Sequence, residues 1–491
     1  MPVTPYRTNL LQDRKELYQL LTTCQQRAIE KDCPQIISIS QEIEPIDPLA
    51  VLQAIAKPNH LQFYLENRTK NEALAAIDTT ASIRLEGVNR FKESQKFIQN
   101  CLKNSSLEGD LNQPLSGMHF FCSFTFFDKN INRESPFSAA TIFLPRWQVA
   151  KCENSCVLVA NLKINPRINL EFILESLCSK IELINGYGRR ISTITDNNRN
   201  HWIPQDSNNS DRFKLSVSSA LNSIRANQFR KIVLASAIDV VSPSPFNLVN
   251  SLDNLRKRYP GCNVFSISNG QGQNFIGASP ERLISVRNHN LETDALAGSA
   301  PRGKTTTEDA AFAYRLLSSE KERREHRFVL DFIAERLSEL GLMPQMLPMP
   351  QLLKLSNIQH LWTPIQAQLP IDLHPLEIVA KLHPTPAVAG VPTKIAEAQI
   401  LALETFDRSL YAAPLGWVDY QGNCEFIVGI RSALIDTEKP SSHTYRTNLQ
   451  TYPNPYRARF YAGAGIVAGS NPNKELAEVQ LKLQALLKAL L

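Results

Sequence analysis

The chain has 491 residues, 43% of them hydrophobic, and a formal net charge of +6. That is enough apolar material for one large core or two to three ordinary ones, and the small charge, with no dense Lys/Arg block interleaved with aromatics, gives no nucleic-acid footprint. Nine irregularly spaced cysteines read as reduced thiols rather than a disulfide framework, and the nearest pair, Cys152 and Cys156, lacks a second pair to complete a zinc knuckle. The N-terminus, MPVTPYRTNLLQDRKELYQLL, has no apolar segment of signal-peptide length. No stretch approaches the ~20 apolar residues of a spanning helix, so a cytoplasmic protein without membrane contact is expected.

In chain order, strand patterns dominate the first half: IISISQEI from Ile36, LQFYLENR from Leu61, HFFCSFTFF from His119 and ATIFLPRWQVA from Ala140, each bounded by turn-forming residues. Helical periodicity appears from Arg90 (RFKESQKFIQNCLKN) and Asn169 (NLEFILESLCSKIELI). Between Gly186 and Asp211 the sequence turns polar and Asn-rich, which predicts a long exposed connection and a boundary between an N-terminal part, 1–210, and a C-terminal part, 211–491, of one intertwined fold. A helix over Lys214–Ala226 follows, capped near Ser210 or Asp211, and then the strand RKIVLASAIDVV. From Ser318 the segment SSEKERREHRFVLDFIAERLSELG is helical, with Gly341 as its stop. A polar insertion spans Asp436–Arg457, and the chain ends in a helix capped by Ser470 or Asn471, with Pro472 in its first turn. The mixture predicts an α+β fold.

Both late helices begin with carboxylates. Glu475, Glu478 and Lys482 share one face, as do Glu322 and Glu325. Such acids suit helix dipoles at solvated helix starts; if the two faces meet, they form a cluster suited to Mg²⁺, a hard ion that takes one or two carboxylates and leaves its other positions to water and substrate. The glycines of YAGAGIVAGS, Gly463, Gly465 and Gly469, read as a turn whose backbone can approach an anion. Lys231, heading an apolar strand, is either a snorkelling edge residue or a buried base. Glu281 follows the rigid Pro280 in GASPERL.

Taken in order, KIVLASA, GASPERL, ALAGSAPRG, EKERREH, HLWTPIQA, LHPTPAVAG, YAAPLGW, IVGIRSA and GAGIVAGSNPNKELAEV resemble the signature blocks of the chorismate-utilising enzymes, and weaker similarity extends back to about Ile36. The resemblance implies a large, mostly antiparallel β-sheet sandwich core surrounded by helices. It also implies that Lys231 is the general base and Glu281 the general acid, and that Glu325 and Glu478, with Glu475 and Glu322 nearby, hold Mg²⁺. Arg431 and Tyr411 would bind the enolpyruvyl carboxylate, Lys482 another carboxylate, and His360 would lie beside the ring. The backbone of Gly298, Ser299 and Gly463, Ala464 and Gly465 would line the pocket.

Within that family Lys231 sets this chain apart from enzymes that use ammonia as nucleophile. Ala297 stands where aminating relatives carry lysine, and Ala387 where pyruvate-expelling salicylate synthases carry threonine. The implied reaction is therefore the Mg²⁺-dependent isomerisation of chorismate to isochorismate, with menaquinone or phylloquinone synthesis as its expected destination. Salicylate formation, amination and a catalytically silent chorismate-binding subunit are the alternatives. A glutaminase partner is not required by this reading, and a monomer or weak homodimer is expected. Ser236, Ser299 and Val479 depart from the family pattern without removing a proposed acid, base or metal ligand.

Overall fold

The computed structural model describes residues 10–11, 13–129, 135–187, 203–205, 209–356, 358–438 and 456–490. Among these, the strands form a 13-stranded and a 10-stranded sheet. Their pairings are antiparallel except that Gln35–Glu42 and Ser105–Gly109 run parallel. The sheets face one another, and aromatic side chains interdigitate between them: Phe63 of the larger sheet lies 5.0 Å from Phe121 of the smaller, which in turn meets Phe143 at 5.7 Å. Helices Asn209–Arg225, Leu248–Arg258 and Pro472–Leu490 pack on the larger sheet, and Arg90–Lys103 and Glu320–Glu339 on the smaller. This is the α+β sandwich the blocks imply.

Both sheets mix early and late sequence. Strand Leu61–Asn67 pairs residue for residue with Asn263–Asn269, and His119–Phe124 pairs with Pro414–Asp419. The strand His119–Phe124 is buried at every position, as expected of strands covered on both faces. The segment expected as one strand from Ala140 is two: Ala140–Leu144 joins the smaller sheet, and after Pro145 and Arg146 the strand Trp147–Cys152 joins the larger. Pro145 offers no N–H to a ladder, so the chain changes sheets there. The predicted exposed connection contains a short strand, Ile203–Gln205, against Val241–Asp239; the rest of that connection and most of the insertion before Arg457 lie outside the described residues. All nine cysteines are unpaired. Among the described residues no helix is long and apolar enough to cross a membrane.

Three features of this frame place the chemistry. Strand Lys231–Ser242 pairs along its whole length with Tyr456–Val467, setting Val233 opposite Gly465 and Ala235 opposite Gly463. Helix Glu320–Glu339 starts afresh after Thr306–Ser318, with the Ser319 side chain accepting from Glu322 N–H, so its first turns project Glu322 and Glu325 together. The final helix, Pro472–Leu490, starts where the Asn471 side chain accepts from Asn473 and Lys474 N–H.

Candidate active site

A cavity of about 120 Å³ opens where the strands Lys231–Ser242 and Tyr456–Val467 meet the starts of helices Glu320–Glu339 and Pro472–Leu490. Thirteen of the residues the sequence points to line it: Glu281, Ala297, Gly298, Ser299, Glu325, His360, Ala387, Tyr411, Arg431, Gly463, Gly465, Glu478 and Lys482. Lys231 sits just behind the wall, 0% exposed, with Nζ 2.9 Å from Glu325 Oε1. Ala464 is a correction: Gly463 and Gly465 line the cavity, and Ala464 between them does not. Glu475 lies outside the lining and reaches the cluster through Lys321, at 3.5 Å.

The YAGAG segment is part of a strand rather than a turn, and its glycines make room for side chains. A Cβ on Gly465 would stand 2.5 Å from Glu325 Oε1, and one on Gly463 would stand 2.9 Å from the Tyr411 hydroxyl. Gly298 is the glycine that needs its backbone freedom. It has φ +77° at a bulge between Ala297 and Ser299, and this break in the ladder lets Ser299 N–H donate to Glu322 Oε2 at 3.1 Å.

Glu281 is pinned by its backbone. Its N–H donates to Ser279 Oγ at 3.2 Å, and its carbonyl accepts from Val428 N–H at 3.0 Å. The residue is 6% exposed; burial pushes the carboxyl up to about 7, with Lys231 opposing the rise and Asp294 adding to it. A carboxyl in that range is protonated for a substantial fraction of the time near neutrality.

His360 and Ser299 stand opposite each other on paired strands, with Nδ1 and Oγ 2.9 Å apart. The other ring nitrogen, Nε2, is 3.2 Å from Arg431 Nη2. A guanidinium can only donate, so Nε2 accepts and Nδ1 carries the hydrogen. Burial, followed by Arg431 and Lys482, depresses His360 to about 3, which keeps the ring neutral and the guanidinium oriented. Arg431 adopts φ +50°, a strained conformation of the kind that persists where a site demands it. Tyr411 stacks on Tyr461 at 5.3 Å, and burial raises its phenol above the ordinary range. Tyr461 also lines the cavity and was missed in the sequence. Its spacing of two and four from Gly463 and Gly465 was the available signal.

The helix starts do meet, and lysines interleave with the acids. Lys321 lies 3.8 Å from Glu322 and 3.5 Å from Glu475, and Lys482 Nζ donates to Glu478 Oε1 at 2.7 Å and to the Gly463 carbonyl at 2.8 Å. Burial raises Glu322 and Glu475, and neighbouring carboxylates add to both shifts. For Glu325 burial acts in the same sense, but Lys231, Lys321 and Lys482 outweigh it and hold the carboxyl below its usual range. Among the described residues no three acidic, His or Cys side chains already converge as a metal cage. The cluster nonetheless fits a hard divalent ion, because Mg²⁺ binds through one or two carboxylates plus water and substrate oxygens, and Glu325 and Glu478 both border the cavity.

The family model described as chorismate binding enzyme matches residues 20–491. The salicylate biosynthesis isochorismate synthase of Pseudomonas aeruginosa is 31% identical over 94% of this chain and 91% of its own length. Isochorismate synthase MenF of Bacillus subtilis is 28% identical over 97% of each chain. Among solved structures, the menaquinone-specific isochorismate synthase MenF of Escherichia coli is 23% identical, covers 96% of this chain and 100% of its own, and superposes with a TM-score of 0.74. Anthranilate synthase component I of Streptococcus pneumoniae, at 20% identity, covers 85% of this chain and 92% of its own with a TM-score of 0.65. The fold is thus shared by enzymes of different reactions, and the choice among them falls to the site.

Proposed function

Because the chain belongs to the chorismate binding enzymes, we propose that it is an isochorismate synthase, isomerising chorismate by adding water at ring C2 and expelling the C4 hydroxyl. The observation that carries this reading is the pairing of a buried lysine with a buried, high-pKa carboxyl at one cavity: Lys231 as base and Glu281 as acid. Lys231 Nζ takes a proton from the attacking water. The Glu281 carboxyl gives its proton to the departing C4 oxygen, which leaves as water. One water enters and one leaves, and both groups are reset by proton exchange with solvent.

Arg431, oriented by neutral His360, and Tyr411 would hold the enolpyruvyl carboxylate, the guanidinium presenting two parallel donors to it. Lys482 supplies a second cation at the cavity. Mg²⁺ held by Glu325 and Glu478, with Glu475 and Glu322 alongside, would neutralise the ring carboxylate. Ala387 leaves its wall of the cavity without a hydroxyl, which supports a reaction that stops at isochorismate.

The purified chain alone, given chorismate and Mg²⁺, should form isochorismate without ammonia or a glutaminase, and excess chelator should stop it. Separation of products decides the matter: salicylate with free pyruvate, an amino product, or no turnover would overturn the assignment. Delivery of the product to quinone synthesis is part of the proposal: Bacillus subtilis MenF, matched over 97% of each chain, shares its name with the menaquinone-specific enzyme of Escherichia coli. Disrupting the gene should deplete the cell's naphthoquinone; depletion of salicylate alone would redirect the product toward the role named for the Pseudomonas aeruginosa relative.

A further inference from the structure

Arg408 is 0% exposed on its side chain, yet it bears a permanent charge. Its Nε donates to Glu404 Oε2 at 2.8 Å and its Nη2 to Glu404 Oε1 at 2.5 Å, while Nη1 donates to the Val388 carbonyl at 2.9 Å and Nη2 to the Val233 carbonyl at 2.8 Å. The guanidinium also lies over the rings of Phe126, at 4.4 Å, and Tyr411, at 5.8 Å. Val233, Val388 and Tyr411 all line the cavity, so one buried cation touches three of its walls. Buried ion pairs contribute little to stability compared with well-packed apolar side chains, so stability is a poor reason for keeping this one.

The backbone shows what the pair does. On the edge facing away from Tyr456–Val467, strand Lys231–Ser242 pairs with Gly390–Val391 only at Lys231 and Ile232, and Val233 N–H reaches the Ala389 carbonyl at 2.7 Å. The next two groups along that edge are taken by side chains: the Val233 carbonyl by Arg408, and Ala235 N–H by Glu404 Oε1 at 2.8 Å. Glu404 and Arg408 therefore substitute for a missing strand at the point where the loop carrying Ala387 peels away from the strand headed by Lys231.

We propose that Arg408, braced by Glu404, is a positioning residue that fixes the distance between the strand bearing the base and the loop bearing Ala387. This rests on the reading of Lys231 as the base. Of the substrate carboxylate contacts, Arg431 and Lys482 lie on other elements and Tyr411 adjoins the brace, so loss of the brace displaces the reacting groups and leaves the two cationic contacts that capture substrate in place. Lysine at this position keeps a charge, but its single ammonium lacks the planar fork that reaches Glu404, Val233 and Val388 together.

Steady-state kinetics of Arg408→Lys test this, on protein shown by circular dichroism to melt well above the assay temperature. The expected result is a kcat about 100-fold below the parent, the usual penalty for a displacement near 1 Å, with KM within about threefold. Parental kcat and KM would overturn the proposal, as would a raised KM at parental kcat, which marks a substrate contact. If Arg408→Lys does not fold, Glu404→Gln decides: it keeps an acceptor for Ala235 and loses the charge, so kcat should fall about tenfold at unchanged KM, and parental kinetics would overturn the proposal. The comparison uses whatever chorismate turnover the parent shows. A product other than isochorismate would sink the assigned reaction and leave this comparison standing.

Discussion

Replacing Lys231 with alanine should lower kcat by about a thousandfold, the middle of the range for a lost general base, while chorismate still binds. The Nζ atom is buried against Glu325 and close enough to Glu281 to oppose the rise of its carboxyl, and no second lysine replaces it: Lys482 is committed to Glu478 and the Gly463 carbonyl, and Lys321 to Glu322 and Glu475. The carboxylate contacts Arg431 and Tyr411 are untouched by the change. Loss should therefore fall on kcat and not on KM. Truncation also strips Glu325 of its partner, so the variant should be less stable than the parent, and activity is read only on protein shown to be folded. Full turnover by folded Lys231→Ala would remove the lysine from the mechanism.

Glu281→Gln should cost a comparable factor, about 10²–10⁴ in kcat, because the amide keeps the shape and has no acidic proton to give. The parent's kcat/KM should decline as pH rises through about 7, where the buried carboxyl ionises, and the residual rate of the variant should lack that limb. The same shift has a stability consequence of definite sign. The carboxyl binds its proton more tightly folded than unfolded, so the stabilisation is fully present below the unfolded value of 4.5 and is lost as pH rises through about 7. The loss amounts to about 3 kcal/mol. Glutamine has no such penalty, so Glu281→Gln should melt higher than the parent above neutrality, with the gap closing toward pH 4.5. A gap independent of pH would show that the carboxyl does not titrate there.

The parts of the fold that were legible in the sequence are those set by local chemistry. The final helix begins at Pro472 after the Asn471 cap, Arg90–Lys103 follows its apolar period, and Lys231 heads a strand. Illegible were the features decided by distant partners. Nothing near Leu61 announces pairing with a strand 200 residues away, and strands buried on both faces show apolar runs in which alternation is lost. The change of sheets at Pro145 had a visible cause in the sequence but no visible direction. The helix start at Asn209 rather than Lys214 carries the polar residues 209–212 and the buried Phe213 into the helix, a boundary that periodicity does not mark.

The site was legible as a set of residue types and less so as geometry. Spacing on each late helix grouped the carboxylates correctly, but the lysines that separate them, above all Lys321, are visible only once the helices are placed. The glycines of YAGAG suggest an anion-binding turn through their N–H groups; in the structure they are strand residues whose missing Cβ atoms admit Glu325 and Tyr411. Arg408 gave no signal because its acceptors, the carbonyls of Val233 and Val388, are backbone atoms with no residue signature.

Turnover in ¹⁸O-labelled water distinguishes attack by solvent water at C2, under the control of Lys231, from any internal transfer. Isochorismate formed by the parent chain should carry one solvent-derived oxygen, at C2. Isochorismate that retains only the original chorismate oxygens would show an internal migration of the hydroxyl group and contradict the assigned roles of both Lys231 and Glu281.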